Sequence, residues 1–386
     1  MFVYLDNNAT TKVADEVLEE MLPYLREEYG NASSMYEFAR KPIKALERAR
    51  AKVAGFLGAA YEDEVIFTSC GSESDSTAIL GFLGALREKR DEVVISDVEH
   101  PAVFNLRKPL EKLGFKVRVL PVNKNGLVEI GALREVISEK TALVSVMYAN
   151  NETGNLMPIA EITSLAHEFG AHVHTDAVQA AGKIKLDVSK IPVDMLSISG
   201  HKLHAPKGVG ALYLRRGTPF VPFLAGGHQE RGRRAGTENI ASIAGLGKAC
   251  ELADKFLPYE STEIKRLRDK LEAALLEIPY SYLNSDPDSR TPNTTNVSFE
   301  FIEGEAILLS MSDKGICAST GSACSSESLE PSHVLLAQGL DRKLAHSAVR
   351  FSLSRFTTEE EIDYVIGEMP GIIARIRSMS PFWHEN

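Results

Sequence analysis

The sequence is poor in cysteine. Its 386 residues include four cysteines, Cys70, Cys250, Cys317 and Cys324, and no CxxC pair. So few thiols cannot cross-link a chain of this length, which favours a reducing compartment such as the cytoplasm. Any cysteine with a special role is therefore expected to be reactive rather than structural.

Basic residues are not in excess, and long hydrophobic runs are lacking. The formal net charge is -10. Surfaces that bind nucleic acids or anionic membranes normally carry a basic excess, so neither partner is expected. No apolar run reaches 18 residues, and no basic region followed by an apolar core opens the chain, so we expect neither a membrane span nor a signal peptide.

What the sequence does contain is a regular alternation of short apolar runs and helical patterns. The runs lie at 93–96, 117–120, 142–146, 172–175 and 195–199. Buried strands alternating with helices predict an α/β fold with a mostly parallel, doubly wound sheet, whose ligands collect at the carboxyl ends of the strands. The length predicts two domains or three. We expect a large domain over 15–258 and a smaller α+β domain made of 1–14 and 259–386.

Polar residues follow several of these runs. They are Glu99-His100, Asn150 to Glu152, Asp176 with Gln179, and Ser199 with His201-Lys202. Taken singly, each has an ordinary alternative as a helix cap or a solvated surface group. Because four strand ends each supply a polar group, the pattern favours one shared site.

An anion site is predicted at the turn after the apolar run 64–68. Small residues from Ser69 to Ser74 follow this run and open a helix. Free backbone N–H groups at a helix start bind phosphate, so Gly71 and Ser72 are the candidate contacts. A plain strand-to-helix turn is the alternative.

Lys202 is the residue around which the chemistry is organised. It follows an apolar run and precedes a Pro-Lys-Gly turn at 206–208. A lysine that forms a Schiff base must lose its proton in a partly desolvated pocket, and a strand end supplies such a place. The alternative is one more exposed lysine on the surface.

A Schiff-base lysine implies pyridoxal 5'-phosphate, whose requirements the strand-end residues meet. A buried carboxylate is needed beside the ring nitrogen, and His has a pKa suited to proton transfer. We expect a bidentate guanidinium for the substrate carboxylate. The assignments are Asp176 at the ring nitrogen, Asn151 and Gln179 at the ring hydroxyl, His100 stacked on the ring, Gly71, Ser72, Ser199 and His201 at the phosphate, and Arg350 with Asn151 at the substrate.

Cys324 lies in a run of small residues from Thr320 to Ser326. Such a run cannot pack heavily, so we expect the thiol on a mobile, exposed loop. An exposed thiolate near basic groups is a nucleophile.

Ordered motifs along nearly the whole chain resemble the pyridoxal-phosphate cysteine desulfurases of the NifS/IscS type, within the class V aminotransferase fold. The motifs are YLDNNATT at 4–11, EHPAV at 99–103, NNETG at 150–154, HTDAVQA at 174–180, HK at 201–202, QERG at 229–232, GTEN at 236–239, PNTTN at 292–296, GSAC at 321–324, PSHVL at 331–335 and VRFSL at 349–353. One departure is Cys70, which stands where the family has Gly and is a second candidate reactive thiol.

The resemblance implies a type I fold of pyridoxal-phosphate enzymes and a cysteine desulfurase. Its substrate would be L-cysteine, its products L-alanine and a persulfide on Cys324, with Lys202 as cofactor anchor and His100 as acid and base. It also implies a homodimer in which Thr237 reaches the phosphate of the other subunit. The sulfur acceptor would be an iron–sulfur scaffold protein of the IscU type. No metal is expected in the isolated enzyme, although Cys324 would meet a cluster in the scaffold complex.

Three alternatives remain open. A selenocysteine lyase or an aminotransferase would share the fold and the cofactor. A non-catalytic sulfur or metal carrier would use Cys324, Cys317 and His333, but the spacing of these residues suits a closed zinc site poorly.

Overall fold

A computed structural model of the chain describes residues 1–86, 90–320 and 330–383. Its strands are β1 (Val3–Tyr4), β2 (Val65–Thr68), β3 (Glu92–Ser96), β4 (Lys116–Leu120), β5 (Thr141–Ser145), β6 (His172–Asp176), β7 (Met195–Ser199), β8 (Gly210–Leu214), β9 (Ser281–Leu283), β10 (Thr294–Phe299), β11 (Ile316–Cys317) and β12 (Ala348–Ser352). Its α-helices are α1 (Asp15–Arg26), α2 (Arg40–Leu57), α3 (Gly71–Ala85), α4 (Pro101–Phe104), α5 (Arg107–Lys112), α6 (Ile130–Val136), α7 (Ile159–Glu168), α8 (Ile240–Tyr259), α9 (Lys265–Leu276), α10 (Gly304–Asp313), α11 (His333–Ala337), α12 (Arg342–His346) and α13 (Glu359–Met379).

The central sheet has seven strands in the order β2-β8-β7-β6-β5-β3-β4. Strands β3 to β7 pair in parallel, and β8 runs antiparallel to both β7 and β2. The predicted mostly parallel α/β sheet is confirmed. The reversal of β8 has a simple cause, because the connection 200–209 is too short for the crossover that a parallel neighbour needs.

The central strands β3, β5, β6 and β7 are buried on both faces, as expected for a sheet covered by helices. Helix α3 covers one face with Ile79 and Phe82. The larger core on the other face includes α1, α2, α7 and α8. Among the described residues, no helix is both long and apolar enough to cross a membrane.

A second core surrounds the three-stranded antiparallel sheet β12-β10-β9. Helices α9, α10 and α13 contribute to it, and so do Val3 and Leu5 from the start of the chain. Helix α8 continues through a π-helical segment, Glu260–Ile264, into α9, so the proposed boundary at residue 258 lies on a continuous helical path. The division into two domains stays a prediction.

The Gly- and Arg-rich segment 225–239 is anchored by a buried ion pair. The Glu230 carboxylate accepts from Arg50 Nη1 and Nη2 at 2.7 and 2.8 Å, and from the Phe67 backbone N–H at 3.1 Å. Glu230 and Arg231 both have positive φ, of 48° and 58°, a conformation that must be held by its surroundings. Arg234 pairs with Glu73 in the first turn of α3 at 2.7 Å. The segment is therefore fixed beside the predicted anion site.

Replacing Glu230 with glutamine is expected to lower the free energy of unfolding by about 3–5 kcal/mol, because Arg50 stays buried without its counter-charge. Denaturant unfolding measures the loss. The matched control is Asp63→Asn, which breaks a far more exposed ion pair with Arg216 and should have little effect. Equal losses in the two variants would contradict the anchoring role of Glu230.

Candidate functional site

Lys202 lies directly after β7, at the end of the short helical turn Gly200–Lys202. Its Nζ donates to the backbone carbonyl of Asn8 and, at 2.7 Å, to that of Ala9. Gln179 Nε2 donates to the same Asn8 carbonyl at 2.9 Å. Two of the residues predicted from the sequence are therefore brought together through a third segment, which sequence reasoning did not assign to the site.

That third segment is the polar run near the start of the chain. Thr10 Oγ1 lies 3.2 Å from His201 Nδ1, and Thr11 donates to the His201 carbonyl through both its N–H and its hydroxyl. The NNATT run was the available signal, but the groups that hold Lys202 are main-chain carbonyls, and a sequence does not show where these point.

Asp176 ends β6 and is buried. Its Oδ1 accepts from the Val178 backbone N–H at 2.9 Å. Burial, followed by the like charge of Asp75, raises the pKa of Asp176 to about 7, while Lys202 acts in the opposite direction. Asp176 and Lys202 therefore interact electrostatically, as expected for two groups of one site.

His100 is the N-cap of α4 and accepts from the Ala102 N–H through Nδ1 at 3.1 Å. The helix-cap alternative therefore also holds. With Nδ1 used as an acceptor, the neutral ring carries its proton on Nε2. Burial, followed by the positive charge of Lys202, lowers the pKa of His100 to about 4. The ring is thus neutral near pH 7 and lies within electrostatic reach of Lys202.

Helix α3 begins at Gly71 and faces Ser199 at the end of β7. A Cβ on Gly71 would come within 2.9 Å of Val178 Cγ2 and 3.4 Å of the Ser199 Cβ, so only glycine fits without displacing these neighbours. The Ser199 hydroxyl is buried and has no hydrogen-bond partner among the described residues. Ser72 is exposed in the first turn. An unpaired hydroxyl beside free helix N–H groups suits a phosphate.

Arg350 projects from β12 in the smaller sheet and is buried. It donates to Asp6 Oδ1 at 2.7 Å and to the Asn151 carbonyl at 2.8 Å. These contacts fix the guanidinium at the junction of both sheets and the N-terminal segment. The Asn151 side-chain oxygen is buried and accepts no hydrogen bond from any residue in 1–86, 90–320 or 330–383, so it could accept one from a ligand.

The other predicted residues are not all placed at this centre. Thr237 is exposed on the loop before α8. Cys324 lies outside the described residues. The Cys70 sulfur accepts from the Glu73 N–H at 3.4 Å and is the N-cap of α3, which gives this thiol a structural task.

His204, two residues after Lys202, connects the lysine segment to the N-terminal segment through Thr11 and Lys12. His204 is buried and has a φ of 61°. Its Nδ1 lies 2.9 Å from the Lys12 carbonyl oxygen, and its Nε2 has no hydrogen-bond partner among the described residues. Burial lowers the pKa of His204 to about 3, and the charges of Lys183 and Arg355 add to this effect. The unfolded chain therefore binds a proton at this residue between about pH 6.5 and 3, whereas the folded chain does not.

As the pH falls from 7 to 5, His204 should therefore cost the protein about 2 kcal/mol of stability. The variant His204→Asn removes this titration and keeps a residue type that tolerates positive φ. We expect its stability deficit relative to the unmodified protein to shrink by that amount at pH 5, measured by urea unfolding. His228→Asn, on an exposed loop, is the control. A deficit that is constant with pH would contradict the prediction.

The sheet has a lysine, a buried carboxyl and a helix N-terminus at neighbouring strand ends. This arrangement is that of the type I fold of pyridoxal-phosphate enzymes. The chain belongs to the class-V aminotransferase family, whose model matches residues 3–365. Cysteine desulfurase NifS of Azotobacter vinelandii is 55% identical over 385 residues, which is 100% of this chain and 96% of the relative.

Solved structures agree with this assignment. A NifS-like protein superposes with a TM-score of 0.92 at 38% identity, covering 97% of this chain and 100% of that structure. SspA in complex with cysteine superposes with a TM-score of 0.81 at 36% identity, covering 92% and 100%. The predicted family resemblance and the fold type are confirmed.

Proposed function

We propose that this chain is a cysteine desulfurase that converts L-cysteine to L-alanine and leaves the sulfur as a persulfide on Cys324. The observation that carries the proposal is the 55% identity to cysteine desulfurase NifS across the whole chain. The structure of SspA, which contains cysteine, supports the choice of substrate.

The residues present fit pyridoxal 5'-phosphate. Lys202 would bind it covalently, and Asp176 would hold the ring nitrogen. Asn151 and Gln179 would contact the ring hydroxyl, and His100 would stack on the ring. The unpaired Ser199 hydroxyl, Gly71, Ser72 and His201 would hold the phosphate, joined by Thr237 of the other subunit. When bound, the cofactor supplies an electron sink for bond breaking next to the amino group.

Groups of the protein itself position the reacting amine and exchange protons with it. The carbonyls of Asn8 and Ala9 hold the Lys202 amine at one place at the strand end. His100 is the neighbouring group that exchanges protons with the site, and its pKa of about 4 keeps it neutral near pH 7. Because Nδ1 accepts from the Ala102 N–H, the neutral ring carries its proton on Nε2 and would donate through that atom.

Arg350 would bind the substrate carboxylate, with Asn151 beside it. The contacts to Asp6 and to the Asn151 carbonyl leave further guanidinium N–H groups for a ligand. A buried, pre-oriented guanidinium binds a carboxylate without first having to be ordered. It would thereby place the amino acid between the two sheets.

We also propose two protein partners. The exposed apolar side chains Val221, Phe223 and Leu224 lie near the Thr237 loop and support a homodimer through this face. An iron–sulfur scaffold of the IscU type is the proposed sulfur acceptor. The free cysteines Cys70, Cys250 and Cys317 fit a reducing compartment such as the cytoplasm.

Product analysis tests this function against its alternatives. Cofactor-loaded protein given L-cysteine and a reductant should release alanine and sulfide in equal amounts. A selenocysteine lyase would release alanine only from selenocysteine, and an aminotransferase would need a 2-oxo acid and release no sulfide. A non-catalytic carrier would release neither alanine nor sulfide. Any of these three results would overturn the proposal.

A further inference from the structure

A row of buried polar side chains lies behind Asp176 on the same face of the sheet. His174 and Asp176 are two positions apart on β6 and therefore point to the same side. Ser145 on β5 pairs with His174, and Ser197 on β7 pairs with Asp176. Helix α3 places Asp75 against this row. All five residues are buried, and Ser145, His174 and Ser197 are 0% exposed.

The row forms one chain of contacts. Ser145 Oγ lies 2.9 Å from His174 Nδ1, and His174 Nε2 lies 3.1 Å from Ser197 Oγ. His174 Nε2 is also 3.5 Å from Asp75 Oδ1. The Ser197 hydroxyl also lies close enough to the Asp75 carboxyl to lower the pKa of that carboxyl, as a hydrogen-bond donor would.

Only one direction of donation satisfies the chain when Asp75 is ionised. A carboxylate accepts only, so the Ser197 hydroxyl donates to Asp75 and accepts from His174 Nε2–H. The Ser145 hydroxyl then donates to His174 Nδ1. Burial lowers the pKa of His174 to about 4, so the ring is neutral, as this arrangement requires. The chain therefore fixes Asp75 close behind Asp176 without supplying a counter-charge.

The charged groups around Asp176 come from several elements. Asp75 faces it from α3, Glu99 from the turn after β3, His174 from β6 itself and Lys202 from the turn after β7. Burial raises the pKa of Asp75 to about 7 and that of Glu99 to about 8, and Asp176 and Asp75 add to the latter. Within the part of the chain that the structure describes, one oxygen of Asp75 and one of Glu99 are buried without a hydrogen-bond partner. Three acids thus share one nearby lysine.

We propose that Asp75 is a positioning residue of this site: its carboxyl, held behind Asp176 by the Ser197–His174 chain, makes Asp176 retain a proton for the cofactor's ring nitrogen. When the cofactor binds, the protonated Asp176 oxygen would donate a hydrogen bond to the ring nitrogen, so that the pair holds one proton and no other bond forms or breaks. The inference rests on the proposed cofactor.

The like charge of Asp75 disfavours ionisation of Asp176, so removing it should let Asp176 lose its proton at a pH lower by about one unit. Above that pH Asp176 is ionised, so the complex with the cofactor must take up a proton from water when it forms, and the affinity falls. In Asp75→Asn we therefore expect the affinity for pyridoxal phosphate at pH 8 to fall about tenfold.

The test compares two ligands on the full-length apoprotein by fluorescence titration from pH 5.5 to 8.5. One is pyridoxal phosphate, and the other is its analogue with carbon in place of the ring nitrogen. Both can react with Lys202, so the ratio of their affinities isolates the nitrogen. We expect this ratio to begin its decline at lower pH in Asp75→Asn than in the unmodified protein. The control Thr77→Val alters a buried α3 residue whose hydroxyl has no partner, and should leave the ratio unchanged.

An unchanged ratio in Asp75→Asn, or an equal change in Thr77→Val, would overturn the role of Asp75. Circular dichroism checks folding at each pH, and Asp75→Ser, which also removes the charge, replaces the asparagine variant if the latter does not fold. Failure of the unmodified protein to bind pyridoxal phosphate would instead overturn the proposed function. The two failures are therefore distinguishable.

Discussion

Replacing Lys202 with alanine is expected to abolish the visible absorption band of the bound cofactor and to reduce turnover of cysteine by about 1,000-fold or more. The Lys202 amine is the group proposed to bind the cofactor aldehyde covalently. It is held at the strand end by two backbone carbonyls. Absorption spectra of protein reconstituted with pyridoxal phosphate measure the first effect, and alanine release measures the second.

Lys207→Ala is the matched control, because Lys207 is exposed in the same segment. It should keep both the colour and the activity. If Lys202→Ala keeps the band after dialysis, or if Lys207→Ala loses it, the anchor has been assigned to the wrong lysine.

The variant Cys324→Ala should behave in the opposite way. Since none of the residues proposed to hold the cofactor lies in the run of small residues that contains Cys324, the protein should keep its visible band and its affinity for pyridoxal phosphate. Sulfide release from cysteine should fall by about 1,000-fold or more, because the attacking thiolate is missing. Sulfide and alanine assays on the purified, coloured variant provide the measurement.

Cys70→Ser is the control for the second candidate thiol. Serine keeps an acceptor for the Glu73 N–H, so the N-cap of α3 is preserved. Near-normal sulfide release from this variant would restrict the chemistry to Cys324. Loss of release in Cys70→Ser with retention in Cys324→Ala would reverse the assignment.

The sheet and the gathering of its strand-end residues could be predicted because both depend on local patterns. Apolar runs such as 142–146 show which segments are buried, and parallel strands place their carboxyl ends at one edge. The sequence therefore predicts that Asp176, Ser199 and Lys202 lie together at that edge. The antiparallel direction of β8 follows from the short connection 200–209 and not from the apolar runs.

The contacts that hold the site could not be predicted in this way. Asn8 and Ala9 act through main-chain carbonyls, which every residue has, and they lie almost 200 positions from Lys202 in the sequence. The chain through Ser145, His174 and Ser197 joins three strands and reaches Asp75 on a helix. A serine or histidine within an apolar run gives no sign of its partner until the register of the strands is known.

The most direct test of the central claim is a single turnover without reductant. Cofactor-loaded protein mixed with equimolar L-cysteine should yield one alanine per subunit and one added sulfur atom on the peptide that contains Cys324, seen by mass spectrometry and removed by a thiol. Alanine formed without sulfur on that peptide, or sulfur found on Cys70 or Cys317 instead, would contradict the proposed desulfurase mechanism.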